Sequence, residues 1–183
     1  MATVVQPLTY DDLLALPDDG RRYELIDGEL IELTSPSTKH QLLILRLGGV
    51  LDVLVTRLGL GWVFPAPLDV YLAPTNVVQP DLVFVGRERA AIVHPNVIRG
   101  VPNLVIEILS PSTRVRDETR KKNLYARFGV DEYWLVDHNA ETIRVYALVD
   151  GRYELVEQAG AMLRSLVLPA LELDVPALFV GVR

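Results

Sequence analysis

Hydrophobic residues along this chain fall in short, strand-length runs, interrupted by two longer stretches with helical spacing. The first local signal is Thr9-Tyr10-Asp11-Asp12 before Leu13-Leu14-Ala15-Leu16, a short capped helix stopped by Pro17 and Asp18-Asp19-Gly20. Tyr23-Glu24-Leu25-Ile26 and Glu29-Leu30-Ile31-Glu32-Leu33 flank Asp27-Gly28, a pair that predicts a tight β-hairpin. Ser35-Pro36-Ser37-Thr38 supplies a turn and a cap for a long helix over about 40–58. That helix is apolar on nearly all sides, which places it between layers or at a subunit contact. Gly48 and Gly49 in its middle each cost about 1 kcal/mol relative to alanine, and close approach of a neighbouring backbone would account for them.

Extended runs follow at 62–64, 68–72 and 81–85, then a loop over 87–99 and a strand over 103–109. Ser110-Pro111-Ser112-Thr113 opens the second long helix, about 115–128, which ends at Gly129. Strands at 132–137, 142–149 and 153–156 lead to a tail with one or two short strands and a last helical turn. The pattern predicts one α/β domain over 1–183, with a central mixed sheet flanked by helices, an N-terminal hairpin and a C-terminal β extension. Tyr133, Trp134 and Trp62 read as core strand residues rather than as a stacking platform for bases.

Composition narrows the chemistry. With 183 residues, half of them hydrophobic, the chain can bury a sizeable core. The absence of cysteine excludes disulfides, thiol catalysis and cysteine-ligated zinc, and is compatible with a cytoplasmic location. The three histidines, His40, His94 and His138, share no helical metal-binding spacing, which argues against a histidine-built zinc site. The N-terminus lacks the pattern of a signal peptide, and the apolar segment 42–55 is too short and too interrupted to span a membrane. A net charge of −6 argues against coating nucleic acid by bulk electrostatics. Residues 112–127 nevertheless carry six basic side chains against two acidic ones, as a solvated helix face or a phosphate-contacting surface would.

The candidate chemistry lies on the core strands. Asp81, after Pro80, opens Leu82-Val83-Phe84-Val85, and Glu107 interrupts Leu104-Val105-Ile106-Glu107-Ile108-Leu109. Ionised carboxylates are costly in such surroundings unless cations or donors compensate them. An arginine partner or an edge position facing water would explain Glu107, and so would a bound divalent cation. At 100° per residue, Asp117, Lys121, Leu124, Tyr125 and Phe128 share a helical stripe about 80° wide, while Arg120, Lys122 and Arg127 fall outside it. Lys121 therefore points to the core side, either snorkelling or meeting the two acids. Two carboxylates and an inward lysine are what a metal-dependent phosphodiesterase needs.

These residues carry a resemblance. Pro80-Asp81 followed by Glu107 on a strand resembles the PD-(D/E)XK nuclease superfamily. Tyr23 to Glu29, His40, Gln79-Pro80-Asp81, Ile106 to Thr113 and Gly129 to Asp137 are similar to the Uma family of restriction-endonuclease-like proteins, over about 10–146. One departure is that Leu109 stands where the superfamily pattern has lysine, and Lys121, four residues before Tyr125, takes that place in the resembled family.

The resemblance implies a restriction-endonuclease-like core and a metal-dependent endonuclease acting on DNA. Asp81, Glu107 and the Ile108 carbonyl would hold Mg²⁺ or Mn²⁺, and Lys121 would orient the attacking water or stabilise transition-state charge. Arg114, Arg116 and Lys122 are candidate phosphate contacts, and Glu24 or His40 could join the site. Double-strand cutting and the apolar helix together lead to the expectation of a homodimer. The competing expectations are a catalytically silent nuclease fold serving as a DNA-binding or assembly module, and a small-molecule or nucleotide hydrolase using the same metal pair.

Overall fold

The structure, a computed structural model, describes residues 6–158 and 160–182. The chain runs through α1 (Tyr10–Leu14), β1 (Arg22–Ile26), β2 (Glu29–Leu33), α2 (Thr38–Leu58), β3 (Gly61–Pro65), β4 (Asp69–Ala73), β5 (Asn76–Val78) and β6 (Leu82–Gly86). It continues through β7 (Val93–His94), β8 (Val97–Arg99), β9 (Leu104–Ile108), α3 (Arg114–Arg116), α4 (Lys122–Phe128) and β10 (Glu132–Asp137). The last elements are β11 (Thr142–Val149), β12 (Arg152–Leu155) and α5 (Val175–Phe179).

The strands form two mixed sheets, ordered β2-β1-β5-β4-β8-β7 and β12-β11-β10-β9-β6-β3. The molecule is α/β, as the pattern predicts, but the N-terminal hairpin is no appendage. It pairs through β5 and becomes part of the first sheet. Its turn has positive φ at both Asp27 and Gly28, which sets the register from Ile26–Glu29 to Arg22–Leu33. A Cβ at Gly28 would collide with Pro7, so glycine also admits the N-terminal segment there.

The second sheet holds the core. β9 and β10 are parallel, joined by the helical crossover of α3 and α4, and every residue of both is buried. Strand alternation sends Leu104, Ile106, Leu82, Phe84, Trp134 and Val136 to the face covered by α2. Val83, Val85, Val105, Tyr133 and Leu135 face the other way, against Leu124 and Tyr125 of α4 and Ile26, Val70 and Ile98 of the first sheet. Glu107 has the parity of Val105 and so belongs to that second face.

Several expectations need correction. The segment 87–99 is not a plain loop, since a 3₁₀ turn at Arg87–Ile92 is followed by the β7–β8 hairpin. β5, also unexpected, is three residues long. Strands of two or three residues are too short to carry a period, and partner strands supply their order. Helix α2 buries Leu43, Leu47, Leu51 and Val55 but leaves Leu45 72 % and Val53 65 % exposed. A Cβ at Gly48 would lie 3.2 Å from the Leu82 side chain, whereas one at Gly49 would meet nothing within 4 Å. Close packing therefore explains only Gly48, and the neighbour is a side chain rather than backbone. Trp62 is 43 % exposed on β3, an edge strand with one open face, whereas Trp134 and Tyr133 are fully buried. Beyond β12, strand character is limited to the Met162–Asp174 bridge among the described residues.

Candidate functional site

Strand parity turns Glu107 from β9 toward the crossover helix, and that helix brings Lys121 to meet it. Lys121 Nζ lies 2.9 Å from Glu107 Oε1, 2.7 Å from Glu24 Oε1 and 4.0 Å from Asp117 Oδ1. The turn Asp117–Lys121 is a π turn between α3 and α4, a widening of the helix that often occurs at functional positions. Tyr125, one turn further along, donates to Glu107 Oε1 at 2.8 Å. Glu24 arrives from β1 of the other sheet and accepts a 2.8 Å bond from the Gln79 N–H. Glu24, Glu107, Asp117 and Lys121 are all buried.

Asp81 stands at the edge of this cluster, just before β6. Its Oδ2 accepts from the Ile108 N–H at 2.7 Å and lies 3.1 Å from His40 Nε2, in the first turn of α2. Asp81, Glu107, Ile108, Asp117, Lys121 and His40 border one cavity of about 450 Å³. Its rim consists of Thr34 to Ser37 on one side and Ser110 to Thr113 on the other, joined by a 3.3 Å contact between Thr34 Oγ1 and Ser112 Oγ. Glu24 lies behind Lys121 and does not border the cavity.

Three carboxylates surround one ammonium, with Asp81 at the edge of the cluster, and the electrostatics follow from that arrangement. Burial pushes the Glu107 carboxyl well above its usual range; Lys121 opposes this, and Asp117, Asp81 and Glu24 reinforce it. Burial likewise raises Asp117. Burial alone would lower the Lys121 ammonium, but Glu107, Glu24 and Asp117 outweigh it and hold the lysine charged above its ordinary value. An amine so held cannot serve as a proton acceptor. It can stabilise negative charge.

The donor set can be tested against a metal ion on its own chemistry. All bonds to Asp81 fall on Oδ2 and all those to Glu107 on Oε1, so Asp81 Oδ1 and Glu107 Oε2 are not used by the described residues. Asp117 Oδ1 is buried without a hydrogen-bond partner. Among the described residues no three His, Asp or Glu side chains converge as a metal-ligand group. Two carboxylates with spare oxygens and excess negative charge fit a hard cation that keeps several waters, such as Mg²⁺ or Mn²⁺. They do not fit an all-protein cage.

The remaining candidates separate. Arg116 borders the cavity, and its buried Nε has no partner among the described residues. Arg114 instead pairs with Asp137 at 2.8 Å and Glu118 at 3.4 Å, and Lys122 Nζ lies 3.6 Å above the Tyr146 ring. Asp117, Tyr125 and Gln79 join the cluster without having been singled out for chemistry. The stripe shared with Lys121 was the available signal for the first two, and the Gln79-Pro80-Asp81 motif for the third.

Arg114 holds the Asp137 carboxyl down at about 2, aided by the Asn139 and Ala140 N–H groups. A depressed carboxylate contributes stability that is present above pH ~4 and is lost as pH falls through about 2. Asp137→Asn should therefore cost about 1–2 kcal/mol at pH 7, allowing for screening at the partly exposed guanidinium. The difference should begin to shrink below pH ~4 and approach zero only below about pH 2, as read by urea unfolding across that range.

A family model described as "Putative restriction endonuclease", Uma2, matches residues 10–176 of this chain. The chain belongs to the Uma2 family. A crystal structure from Anabaena variabilis, described as a putative nuclease belonging to DUF820, superposes on this Uma2 chain with a TM-score of 0.80. It is 23 % identical, with 97 % of this chain and all of that one covered, and at that identity the likeness speaks for the fold alone. No curated protein matches this Uma2 sequence. No described helix of this Uma2 chain is long and apolar enough to cross a membrane.

Proposed function

We propose that this chain is a cytoplasmic, metal-dependent endonuclease that hydrolyses phosphodiester bonds in DNA. The observation that carries the reading is the convergence of Asp81, Glu107 and Lys121, widely separated in sequence, on one cavity. Asp81 and Glu107, with the Ile108 carbonyl, are the residues that would hold Mg²⁺ or Mn²⁺. Such an ion supplies Lewis acidity and lowers the pKa of a bound water.

The chain's own residues do the rest. The Ile108 N–H and His40 fix the Asp81 carboxylate, while Tyr125 and Lys121 fix Glu107. Lys121, held as an ammonium, stabilises charge developing on the phosphate oxygens, and Arg116 at the cavity wall binds a phosphate. Purified protein should nick DNA with Mg²⁺ or Mn²⁺, and Asp81→Ala, Glu107→Ala and Lys121→Ala should each abolish this. Full activity in Asp81→Ala would remove the metal-site reading.

One observation favours a second reading, a catalytically silent nuclease fold that binds DNA or assembles with partners. Lys121 engages one oxygen each of Glu24 and Glu107 in a closed, buried ion-pair cluster. On that reading DNA association would be independent of metal and indifferent to Asp81→Ala.

The outer face of α2 supports a homodimer, because Leu45 and Val53 are exposed on either side of the open Gly49 position. Sedimentation at micromolar concentration should give a dimer mass, and Leu45→Asp combined with Val53→Asp should give a monomer. A monomeric parent protein would dismiss this association.

A further inference from the structure

Resting on the nuclease reading, we infer that the site takes single-stranded or unpaired nucleic-acid segments rather than intact duplex. The first ground is depth. Glu107 is 4 % and Lys121 2 % exposed, and only the edge of Asp81 reaches the opening. Access runs past two loops with the same tetrapeptide, Ser35-Pro36-Ser37-Thr38 and Ser110-Pro111-Ser112-Thr113, joined through Thr34 and Ser112. A single sugar-phosphate chain can bend into such a recess. A duplex is stiff over roughly 150 base pairs and must bend or open to lower one phosphate into it.

The second ground is charge. A protein that tracks duplex DNA needs free cations spread over several phosphates. The basic helix offers few of them, Arg116 apart. Arg114 is paired with Asp137, Arg120 with Glu29 at 2.9 Å and Arg127 with Asp27 at 2.5 Å, while Lys122 rests on Tyr146. Of the cations bordering the cavity, Arg22 and Arg116 form no ion pair among the described residues. Two free guanidiniums and a hydroxyl rim suit one or two phosphates of a single strand.

The third ground concerns what is read. The described lining holds Ser and Thr hydroxyls and three prolines, Pro36, Pro67 and Pro111, but no Phe, Tyr or Trp. It therefore offers contacts to sugar and phosphate rather than rings to base faces.

The test compares cleavage of one labelled oligonucleotide, alone and annealed to its complement, with Mn²⁺ present. The single strand should be cut at least about tenfold faster, because the duplex must first be deformed to reach the recess. Arg116→Ala should slow single-strand cutting by about tenfold, the worth of one charge-assisted phosphate contact. Binding of the same two probes to Glu107→Gln, followed by anisotropy, should show the same order. Duplex cut or bound as well as single strand overturns the inference and leaves the nuclease reading standing. Cleavage of neither probe defeats the nuclease reading and takes this inference with it.

Discussion

Glu107→Gln should eliminate cleavage while leaving the protein folded. Glutamine has nearly the same shape, and its side-chain oxygen can still accept from Tyr125 and Lys121, as Glu107 Oε1 does. What disappears is the charge and the second carboxylate oxygen, Oε2, which no described residue uses. Asp81→Asn is the matching change, since an amide oxygen can still accept from the Ile108 N–H. Loss of one preorganised electrostatic group costs about 10²–10³ in rate, and loss of a ligand that also positions the ion should reach at least the upper end. Single-turnover rates with Mn²⁺ and thermal midpoints of the same samples separate the two effects. Rates within about tenfold of the parent, in protein with an unchanged midpoint, would place the metal elsewhere.

Lys121→Met is expected to have the largest effect on stability, about 3–5 kcal/mol at neutral pH. The change removes the ammonium that faces Glu24, Glu107 and Asp117 and leaves three buried carboxyls with no cation among them. Burial already pushes Glu107 and Asp117 upward with Lys121 present, and without it they should rise further. A carboxyl with a raised folded-state pKa contributes stability that is present below its unfolded value near 4.5 and is lost as pH rises through the folded one. The variant should therefore unfold at a progressively lower temperature as pH rises from 5 toward 8, with a steeper slope than the parent. Adding Glu107→Gln should restore part of the loss, because it removes one uncompensated charge. A Lys121→Met protein as stable at pH 8 as at pH 5 would show that these acids are not buried together.

Much of the site was legible in the sequence because its signals are local. Alternation along 104–109 gives Glu107 the parity of Val105 and Leu109, and helical spacing gives Lys121 the face of Leu124 and Tyr125. The 2.9 Å contact between the two side chains is consistent with both periodicities. The Asp27-Gly28 turn was equally plain, because its left-handed backbone demands such residues. Short strands escaped, since β5, β7 and β8 carry no period of their own and take their order from neighbours. The outer face of α2 also escaped, because a helix apolar all round reads the same whether one side or both are covered.

Thus the pattern of residues by itself determined the longer elements, the turn chemistry and the face that Lys121 shares with Leu124 and Tyr125, all consequences of backbone geometry within a few residues. Only the tertiary structure decided that Glu24 crosses from the other sheet to share Lys121, and that His40 meets Asp81. It alone also decided that Arg114, Arg120 and Arg127 spend their charge on Asp137, Glu29 and Asp27 while Arg116 faces the cavity. The physical reason is distance. A charge selects its partner through space at a few ångströms, and the separation of two groups along the chain does not encode that spacing.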